Sequence, residues 1–314
     1  MSSTQLPVGE ELAALGRVLE RPGPFTARDA LDDGASYLWL RRWCRDGLLK
    51  HPIRGVYHAA DLTDDLSLRL AVLRLVVPAD CVVTDRTAGW VWGANMILAP
   101  GDHLVTPAVH VFCPPGHRLR NGLVASGERR LPPEDVADLD GVRVTTPLRT
   151  ACDLGRLLHV DQALAAMDSL AALRCFTLDE LALATLRFRR YRGVVQLRVL
   201  VPLVDPMAQS PGESVLRLRW IQAGIPRPRC QVPVRAPDGG RYYLDLGLED
   251  RLFGAEYDGE EFHDDGAVEH DAGRRDWCRR EHGWIILVFR KANVYGRDQD
   301  ADRILRRAWA ELTK

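Results

Sequence analysis

The segment RYYLDLGLEDRLFGAEYDGEEFH at residues 241–263 decides the fold expected for the last third of the chain. Its two apolar runs, RYYLDLGL and LFGAEYDG, are short and β-prone, and the LGLEDR connection lets them form an antiparallel pair. Side chains alternate along a strand, so Glu256 and Asp258 point the same way, and Asp245 comes level with Glu256 or Asp258 from the neighbouring strand. We therefore predict three carboxylates on one face of a sheet.

Three neighbouring carboxylates are costly unless a cation neutralises them, which predicts a divalent metal at this hairpin. Mg²⁺ or Mn²⁺ would suit the site, because such an ion binds oxygen and activates water beside a phosphodiester. The predicted metal ligands are Asp245, Glu256 and Asp258. The predicted catalytic residues are Glu213, Asp245, Glu256, Asp258, His263 and Arg274. The alternative is a solvated acidic hairpin edge that holds no metal.

The residues around the hairpin supply the remaining roles. Glu213 begins the preceding helix and can add a carboxylate from the side. His263 follows five residues after Asp258, where it can act as a general base or orient the leaving phosphate. Arg274 belongs to the next helix, where a guanidinium group suits phosphate contact. Residues 206–314 together predict a helix, three strands, a helix, a strand and a helix, which make a mixed sheet flanked by helices.

This region resembles the Vsr-like branch of the PD-(D/E)xK nuclease superfamily, which has a restriction-endonuclease-like fold. The similarity rests on residues in the family's order: Glu213, Ser214, Arg217, Gln231, Leu244, Asp245, Glu256, Asp258, Gly259, His263, Asp271, Arg274, Arg275, Gly283 and Trp284. The resemblance implies a magnesium-dependent DNA endonuclease with Asp245 and Glu256 as metal ligands. Asp258 departs from the superfamily, which has a lysine there to stabilise charge on the phosphorane. A fold that binds DNA without cutting it is therefore a third possibility.

Residues 1–61 predict three helices followed by a hairpin, which is the order of a winged helix-turn-helix. Apolar residues recur at helical spacing before Pro22. Thr26 and Ser36 stand where they can cap the second and third helices. The segment LLKHPIRGVYHA that follows is short, β-prone and contains a turn.

A local positive patch covers the predicted third helix and hairpin. Residues 36–57 hold five Lys or Arg and one acid, and contacts to phosphate supply most sequence-independent affinity for DNA. The predicted DNA-binding residues are Tyr37, Arg41, Arg42, Arg45, Lys50 and Arg54. Trp39 is a further side chain that could reach base edges. The alternative is an ordinary amphipathic helix with Leu38, Leu40 and Trp43 partly in the core.

The chain from about residue 10 to 200 resembles the AbiEi antitoxins of type IV toxin–antitoxin systems. The similarity rests on RGVY at 54–57, TDRTAGWVWGAN at 84–95 and GVRVTTPLRTACDL at 141–154. It implies a DNA-binding repressor that controls its own operon and has a cognate toxin as partner. Within the last motif we predict structural roles, with Thr146 capping a helix and Arg149 pairing with a nearby acid.

Composition narrows the remaining possibilities. Lys+Arg 42 against Asp+Glu 43 gives a formal net charge of -1, so any nucleic-acid surface is local. The start MSSTQLPVGEEL lacks the pattern of a secretory signal and no apolar stretch is long enough to span a bilayer, so we expect a cytoplasmic protein without membrane contact. Seven cysteines without a CxxC pair predict small, mostly buried residues, and the histidines have no zinc-binding spacing.

We thus predict an α/β protein, α+β overall, with three domains: a winged helix-turn-helix at 1–61, a mixed α/β domain at 62–205 and a nuclease-like α/β domain at 206–314. The first functional hypothesis is a metal-dependent DNA endonuclease that the winged helix targets. The alternative is an AbiEi-like repressor and antitoxin whose nuclease-like domain is inactive. A nucleotidyltransferase-like reading frame beside the gene would favour this alternative. The sequence leaves the oligomeric state open.

Overall fold

The fold is taken from a computed structural model, which describes residues 8–94, 108–114, 124–128, 131–259 and 265–314. Helices and three separate β-sheets confirm the predicted mixed α/β class. The chain divides into two compact units, one of residues 1–93 and 98–150 and the other of residues 94–97 and 151–314. Among the described residues, no helix has both the length and the apolar character needed to cross a membrane.

The first unit begins with three helices and a small antiparallel sheet. The elements are α1 (Val8–Leu19), β1 (Phe25–Thr26), α2 (Ala27–Asp32), α3 (Tyr37–Arg45), β2 (Leu49–Ile53) and β3 (Val56–Ala59). The predicted three helices and hairpin are therefore confirmed. The short strand β1 was not predicted, and it pairs with β3 to give the sheet order β1-β3-β2.

Side-chain caps start the helices of this region where the sequence predicted. Thr26 and Asp29 form a reciprocal capping box at the start of α2. The Ser36 hydroxyl accepts from the backbone N–H of Trp39 at 3.2 Å, which satisfies a free donor in the first turn of α3. The two caps therefore fix where α2 and α3 begin.

A five-stranded sheet forms the rest of the first unit. Its elements are α4 (Leu66–Arg74), β4 (Val82–Val83), α5 (Asp85–Val91), β5 (Val109–Cys113), β6 (Val124–Glu128), β7 (Val136–Leu139) and β8 (Val142–Thr145). The strand order is β6-β5-β4-β8-β7.

Five of the seven cysteines of the chain are buried, as predicted, whereas Cys44 is partly buried and Cys175 is exposed.

The structural roles predicted for the GVRVTTPLRT motif are confirmed. α6 (Pro147–Leu157) follows β8, and the Thr146 hydroxyl accepts from the backbone N–H of Arg149 at 3.3 Å. The Arg149 guanidinium donates to Asp135 at 2.6 Å, and both side chains are buried. The motif therefore anchors the start of α6 to the loop before β7.

The second unit joins a group of helices to a four-stranded sheet. The helices are α7 (Val160–Ala172), α8 (Leu178–Ala184), α9 (Val194–Leu200), α10 (Pro211–Gln222), α11 (Asp265–His282), α12 (Lys291–Val294) and α13 (Ala301–Leu312). The strands are β9 (Arg229–Arg235), β10 (Arg241–Leu248), β11 (Phe253–Asp258) and β12 (Ile285–Arg290). The order is β12-β11-β10-β9, with β11 and β12 parallel and the other pairs antiparallel, so the predicted mixed sheet is confirmed.

Apolar side chains cover both faces of this sheet. One cluster joins the sheet to α10 and α13, and Trp220, Phe253 and Leu305 are fully buried in it. The other contains strand residues Val232 and Leu244 together with Cys278 of α11. Burial on both faces explains why the strands are apolar in near-continuous runs.

Two buried ion pairs join α7 to α10. Arg217 lies 2.5 Å from Asp168, and Arg219 lies 2.5 Å from Asp161. Desolvated charges of this kind are tolerated only when each finds its partner. The domain boundary predicted at residue 205 falls between these two helices, and it stays a prediction, as does the boundary at residue 61.

Asp168→Ala should lower the free energy of unfolding by about 3–5 kcal/mol, because it leaves Arg217 buried without its carboxylate. Urea unfolding followed by tryptophan fluorescence would measure the change. The matched control is Glu249→Ala, which removes the partner of Arg229 from a pair whose side chains are 64% and 50% exposed. That control should cost about 1 kcal/mol or less. Similar small losses in both variants would contradict a structural role for the buried pair.

Candidate functional site

The acidic residues of the hairpin lie across neighbouring strands, as predicted. β10 and β11 are antiparallel, with Leu246 opposite Ala255, and continuing this register places Asp245 opposite Glu256. On the other side of β10, the pairs on either side of Asp245 place it opposite Gln231 of β9. A polar row of Gln231, Asp245 and Glu256 therefore crosses three strands of an otherwise apolar sheet.

Gln231 marks an irregularity in the sheet at this row. Its φ of 53° lies in the left-handed region, which non-glycine residues rarely adopt. Cys230 packs in the cluster with α10, whereas Val232 packs in the cluster with α11, although side chains two apart in a regular strand share a face. The backbone turn at Gln231 thus reverses the faces of β9 at the polar row.

Glu213 reaches the polar row from the first turn of α10. Ser210 caps this helix, and the Glu213 carboxylate accepts from the backbone N–H of Gln209 and from the amide of Gln231, each at 2.9 Å. Burial raises the pKa of Glu213, and the hydrogen bonds from Gln209, Ser210 and Gln231 oppose that shift. The predicted approach of Glu213 to the row from the preceding helix is therefore observed.

Asp245 has the most perturbed carboxyl group of the row. Burial and then the charge of Glu213 raise the pKa of Asp245 to about 7, and the charge of Glu256 adds to this shift. The backbone N–H of Tyr257 donates to the Asp245 carboxylate at 2.8 Å and partly offsets the shift. Glu213, Asp245 and Glu256 are thus close enough to repel one another, as expected for a carboxylate cluster.

Glu256 is neutralised by two arginines of α11. Its carboxylate is 2% exposed, lies 2.9 Å from Nη1 of Arg274 and accepts from Nε of Arg275 at 2.7 Å. Arg274 also donates to the carbonyl of Tyr243 at 2.9 Å. The arginine predicted to contact phosphate is therefore bound to a carboxylate of the same chain.

Of the two remaining predicted site residues, the structure describes Asp258 alone. Asp258 continues along β11, where its carboxylate lies 3.6 Å from Nε of Arg290. His263 lies outside the described residues, so its predicted role as a general base stays a prediction. The structure thus brings together Glu213, Asp245 and Glu256 and pairs Asp258 with a different arginine.

The donor set does not form a ready metal site. Within the ranges that the structure describes, no group of three or more His, Cys, Asp or Glu side chains is placed to hold a metal ion. Both oxygens of the Glu256 carboxylate lie against guanidinium groups, which supply the positive charge that an ion would otherwise bring. Mg²⁺ or Mn²⁺ binding by Asp245, Glu256 and Asp258 stays a prediction.

The second candidate surface is the outer face of α3. Tyr37, Arg41 and Arg45 are spaced by four residues and exposed, so they form one stripe along the helix. Trp39 and Trp43 are buried with Leu40 in the core of the three-helix region. The suggestion that Trp39 reaches base edges is therefore wrong, because its ring completes that core. Leu38, assigned to the core in the amphipathic alternative, is exposed.

Intramolecular pairs already hold part of this basic surface. Arg42 donates to Glu11 of α1 at 2.7 Å, and Arg45 donates to Asp46 at 3.2 Å. Lys50 and Arg54 are exposed on the hairpin of β2 and β3. The predicted DNA-binding residues are thus all on the surface, with Arg42 turned towards α1.

His51 has a structural role in the hairpin that the sequence did not predict. Its ring stacks on Tyr57 with centroids 4.1 Å apart, and its Nε2 accepts from the backbone N–H of Gly55. Burial lowers the pKa of His51, which favours the neutral ring that this acceptor role needs. The turn that presents Arg54 is therefore held by a neutral histidine.

Comparisons with known proteins identify a family that matches the middle of the chain. Residues 79–203 match the family described as AbiEi antitoxin C-terminal domain. The chain is 30% identical over 235 residues to "Uncharacterized protein MT2308" of Mycobacterium tuberculosis (strain CDC 1551 / Oshkosh) and to "Uncharacterized protein Rv2248" of strain ATCC 25618 / H37Rv. Each alignment covers 74% of this chain and 82% of the relative. The predicted AbiEi resemblance is confirmed for the middle of the chain.

Asp245→Asn should remove a pH dependence of stability between about pH 4 and pH 7. The folded pKa of Asp245, about 7, lies above the usual value, so the folded chain keeps a proton that the unfolded chain releases as pH rises. Its contribution to stability is full below about pH 4 and is lost as pH approaches 7, at up to about 1.4 kcal/mol per pH unit. Urea unfolding of both proteins at a series of pH values measures this.

The control is Asp250→Asn, since Asp250 is exposed and its side chain is 75% accessible in a pair with Arg251. The wild-type stability minus that of Asp245→Asn should fall as pH rises through the window, while the same difference for Asp250→Asn stays flat. Parallel curves for wild type and Asp245→Asn would show that Asp245 titrates normally.

Proposed function

We propose that this chain, which belongs to the family of the two mycobacterial proteins and contains an AbiEi antitoxin C-terminal domain, is a DNA-binding repressor and antitoxin of a toxin–antitoxin pair. The match of residues 79–203 carries the proposal. A cognate toxin is the proposed protein partner. The promoter of the operon that encodes this chain is the proposed DNA target.

Residues 8–59 are the proposed DNA-reading part, as a winged helix. Three helices and the sheet order β1-β3-β2 support this assignment, with α3 as the recognition helix and the hairpin of β2 and β3 as the wing. A recognition helix must present polar side chains outward while its inner face is buried. α3 meets this requirement because Trp39, Leu40 and Trp43 turn inward while Arg41 faces solvent.

Electrostatics support the same surface. The whole chain has a formal net charge of -1, so attraction to DNA must come from a local concentration of positive charge. Arg41, Arg45 and Lys50 are exposed on one helix and the strand after it. Guanidinium and ammonium groups in such positions release counterions from DNA when they bind phosphate, which makes binding strongly dependent on salt.

The C-terminal sheet is proposed to serve as a scaffold that does not cut DNA. The support is the neutralisation of Glu256 by Arg274 and Arg275, which occupies the carboxylate most needed for an ion. Asp258 also stands where the nuclease superfamily has a lysine, so two features separate this site from an active one. Metal-dependent cleavage remains the competing function, because Glu213 and Asp245 form an acidic pair beside Glu256.

Arg41→Ala combined with Arg45→Ala should weaken binding to the promoter fragment of the chain's own operon by roughly tenfold or more. If both side chains contact phosphate, the slope of log affinity against log salt should fall by about two. Fluorescence anisotropy across a salt series measures affinity and slope together.

The matched control is Arg307→Ala, an equally exposed arginine on α13 whose partner is Glu311. It should leave both affinity and slope unchanged. A wild-type chain that binds the promoter no better than unrelated DNA, or a double variant that matches wild type, would contradict the assignment of α3.

Cleavage of DNA is tested by incubating the chain with supercoiled plasmid and Mg²⁺ or Mn²⁺ and measuring the nicked fraction. We expect the wild-type chain to nick no more plasmid than Asp245→Asn or Glu256→Gln, because the arginines already neutralise Glu256. Nicking by wild type that disappears in both variants would overturn the scaffold proposal and establish the nuclease. Urea unfolding of the same preparations, followed by tryptophan fluorescence, shows that the second unit, which carries both substitutions, is folded in all three proteins.

A further inference from the structure

We propose that Cys81 and Cys113 are a redox-sensitive modification site, at which a peroxide forms a disulfide that fastens β4 to β5. The two thiol sulfurs lie 2.6 Å apart, and both side chains are buried. This pair goes beyond the proposed function, because neither DNA binding nor toxin binding requires it. It lies inside the part of the chain that matches the AbiEi domain.

Strand register places the two residues opposite each other. β4 and β5 are antiparallel, with Val82 opposite Phe112 and Val83 opposite Val111, and the next pair along the same register is Cys81 with Cys113. Cys81 immediately precedes β4 and Cys113 is the last residue of β5, so the register of the two strands brings the two thiols face to face.

The position of the two cysteines in the hydrogen-bonding pattern of the antiparallel strands also suits a disulfide. Thr84 donates its backbone N–H to the carbonyl of His110 at 2.9 Å, so positions 84 and 110 form a hydrogen-bonded pair. Such pairs alternate along an antiparallel ladder, which makes Cys81 and Cys113 a non-hydrogen-bonded pair with Cα atoms about 4.5 Å apart. Disulfides need Cα atoms roughly 4.4–6.8 Å apart, so the bond can form without moving either strand far.

The surroundings keep the pair reduced until an oxidant reaches it. Burial, and then contact with Cys113, raises the pKa of the Cys81 thiol to about 12. The reactive thiolate is therefore scarce, and oxidation waits for local opening of the strands. β4 has only two residues, and its ladders to β5 and β8 are short, so local opening breaks few strand pairs.

The chemistry balances with hydrogen peroxide as the oxidant. One thiolate attacks a peroxide oxygen, which forms a sulfenic acid and releases hydroxide, and the hydroxide takes up the thiol proton as water. The second sulfur then attacks the sulfenic sulfur, forms the S–S bond and expels the oxygen as a second water. Two thiols and one peroxide thus give one disulfide and two waters, with two electrons passing from sulfur to oxygen.

The bond would link positions 32 residues apart and so restrict the unfolded chain. A crosslink of this span stabilises chiefly by lowering the entropy of the unfolded state. For a protein of this size the expected result is a rise in Tm of about 5 °C or more. The rise should disappear when dithiothreitol reduces the bond.

The test treats the full chain with excess hydrogen peroxide, alkylates free thiols under denaturing conditions and maps the peptides by mass spectrometry. We expect one linked peptide pair within the chain, containing Cys81 and Cys113, loss of alkylation at both residues, and the reversible rise in Tm; the exposed Cys175 also loses alkylation because peroxide reaches it directly. Cys81→Ala and Cys113→Ala should each abolish the linked pair. Cys278→Ala removes a buried thiol of α11 and should keep both the linked pair and the rise.

The wild-type chain alone decides the proposal, even if an alanine variant fails to fold. Peroxide-treated native protein in which Cys81 and Cys113 are still fully alkylated overturns it. A linked pair that joins other cysteines overturns it as well. The proposal also fails if the Cys81–Cys113 bond forms but the Tm of the oxidised chain equals that of the chain after reduction. Promoter binding is not part of the readout, so failure here and failure of the repressor proposal are distinguishable.

Discussion

The second unit depends on two charges of α10 that water does not reach. Arg217 is fully buried and Arg219 nearly so, and each has its carboxylate on α7. An apolar helix face tolerates small rotations, but a buried guanidinium that loses its carboxylate costs several kcal/mol. The ion pairs therefore fix the rotation and the height of α10 against α7. Because α10 also packs on β11 and carries Glu213, the same contact positions the Glu213 carboxylate beside the polar row of the sheet.

Local signals in the sequence predicted most of the elements. Thr26 and Ser36 correctly predicted where α2 and α3 begin, because a cap involves only residues two or three positions away. The hairpin of β10 and β11 was also predictable, since a short connection leaves antiparallel pairing as the simplest arrangement. The contact between α7 and α10 was not, because Asp168 and Arg217 are 49 residues apart and neither stands out among the many charges of the chain.

The sequence likewise predicted some features of the candidate site and missed others. Alternation along β11 and the turn before it placed Asp245 level with Glu256 or Asp258, and the strand register shows that Glu256 is the residue opposite. Nothing local indicated that Arg274 and Arg275 would fold back onto Glu256, because that depends on how α11 lies across the sheet. The left-handed backbone at Gln231 was equally hidden, since the sequence offers no glycine there. On α3, spacing alone could not distinguish the inward Trp39 from the outward Tyr37 until the core was assembled.

The counter-charges of Glu256 are part of the polypeptide, and this sets them apart from an exchangeable ion. A tethered group is present at an effective concentration that dilution does not alter, whereas a bound ion is lost whenever its free concentration falls below the dissociation constant. Dialysis or a chelator therefore cannot remove the positive charge that neutralises Glu256. The charge balance of the sheet is consequently encoded in the sequence and does not depend on whether an ion is available.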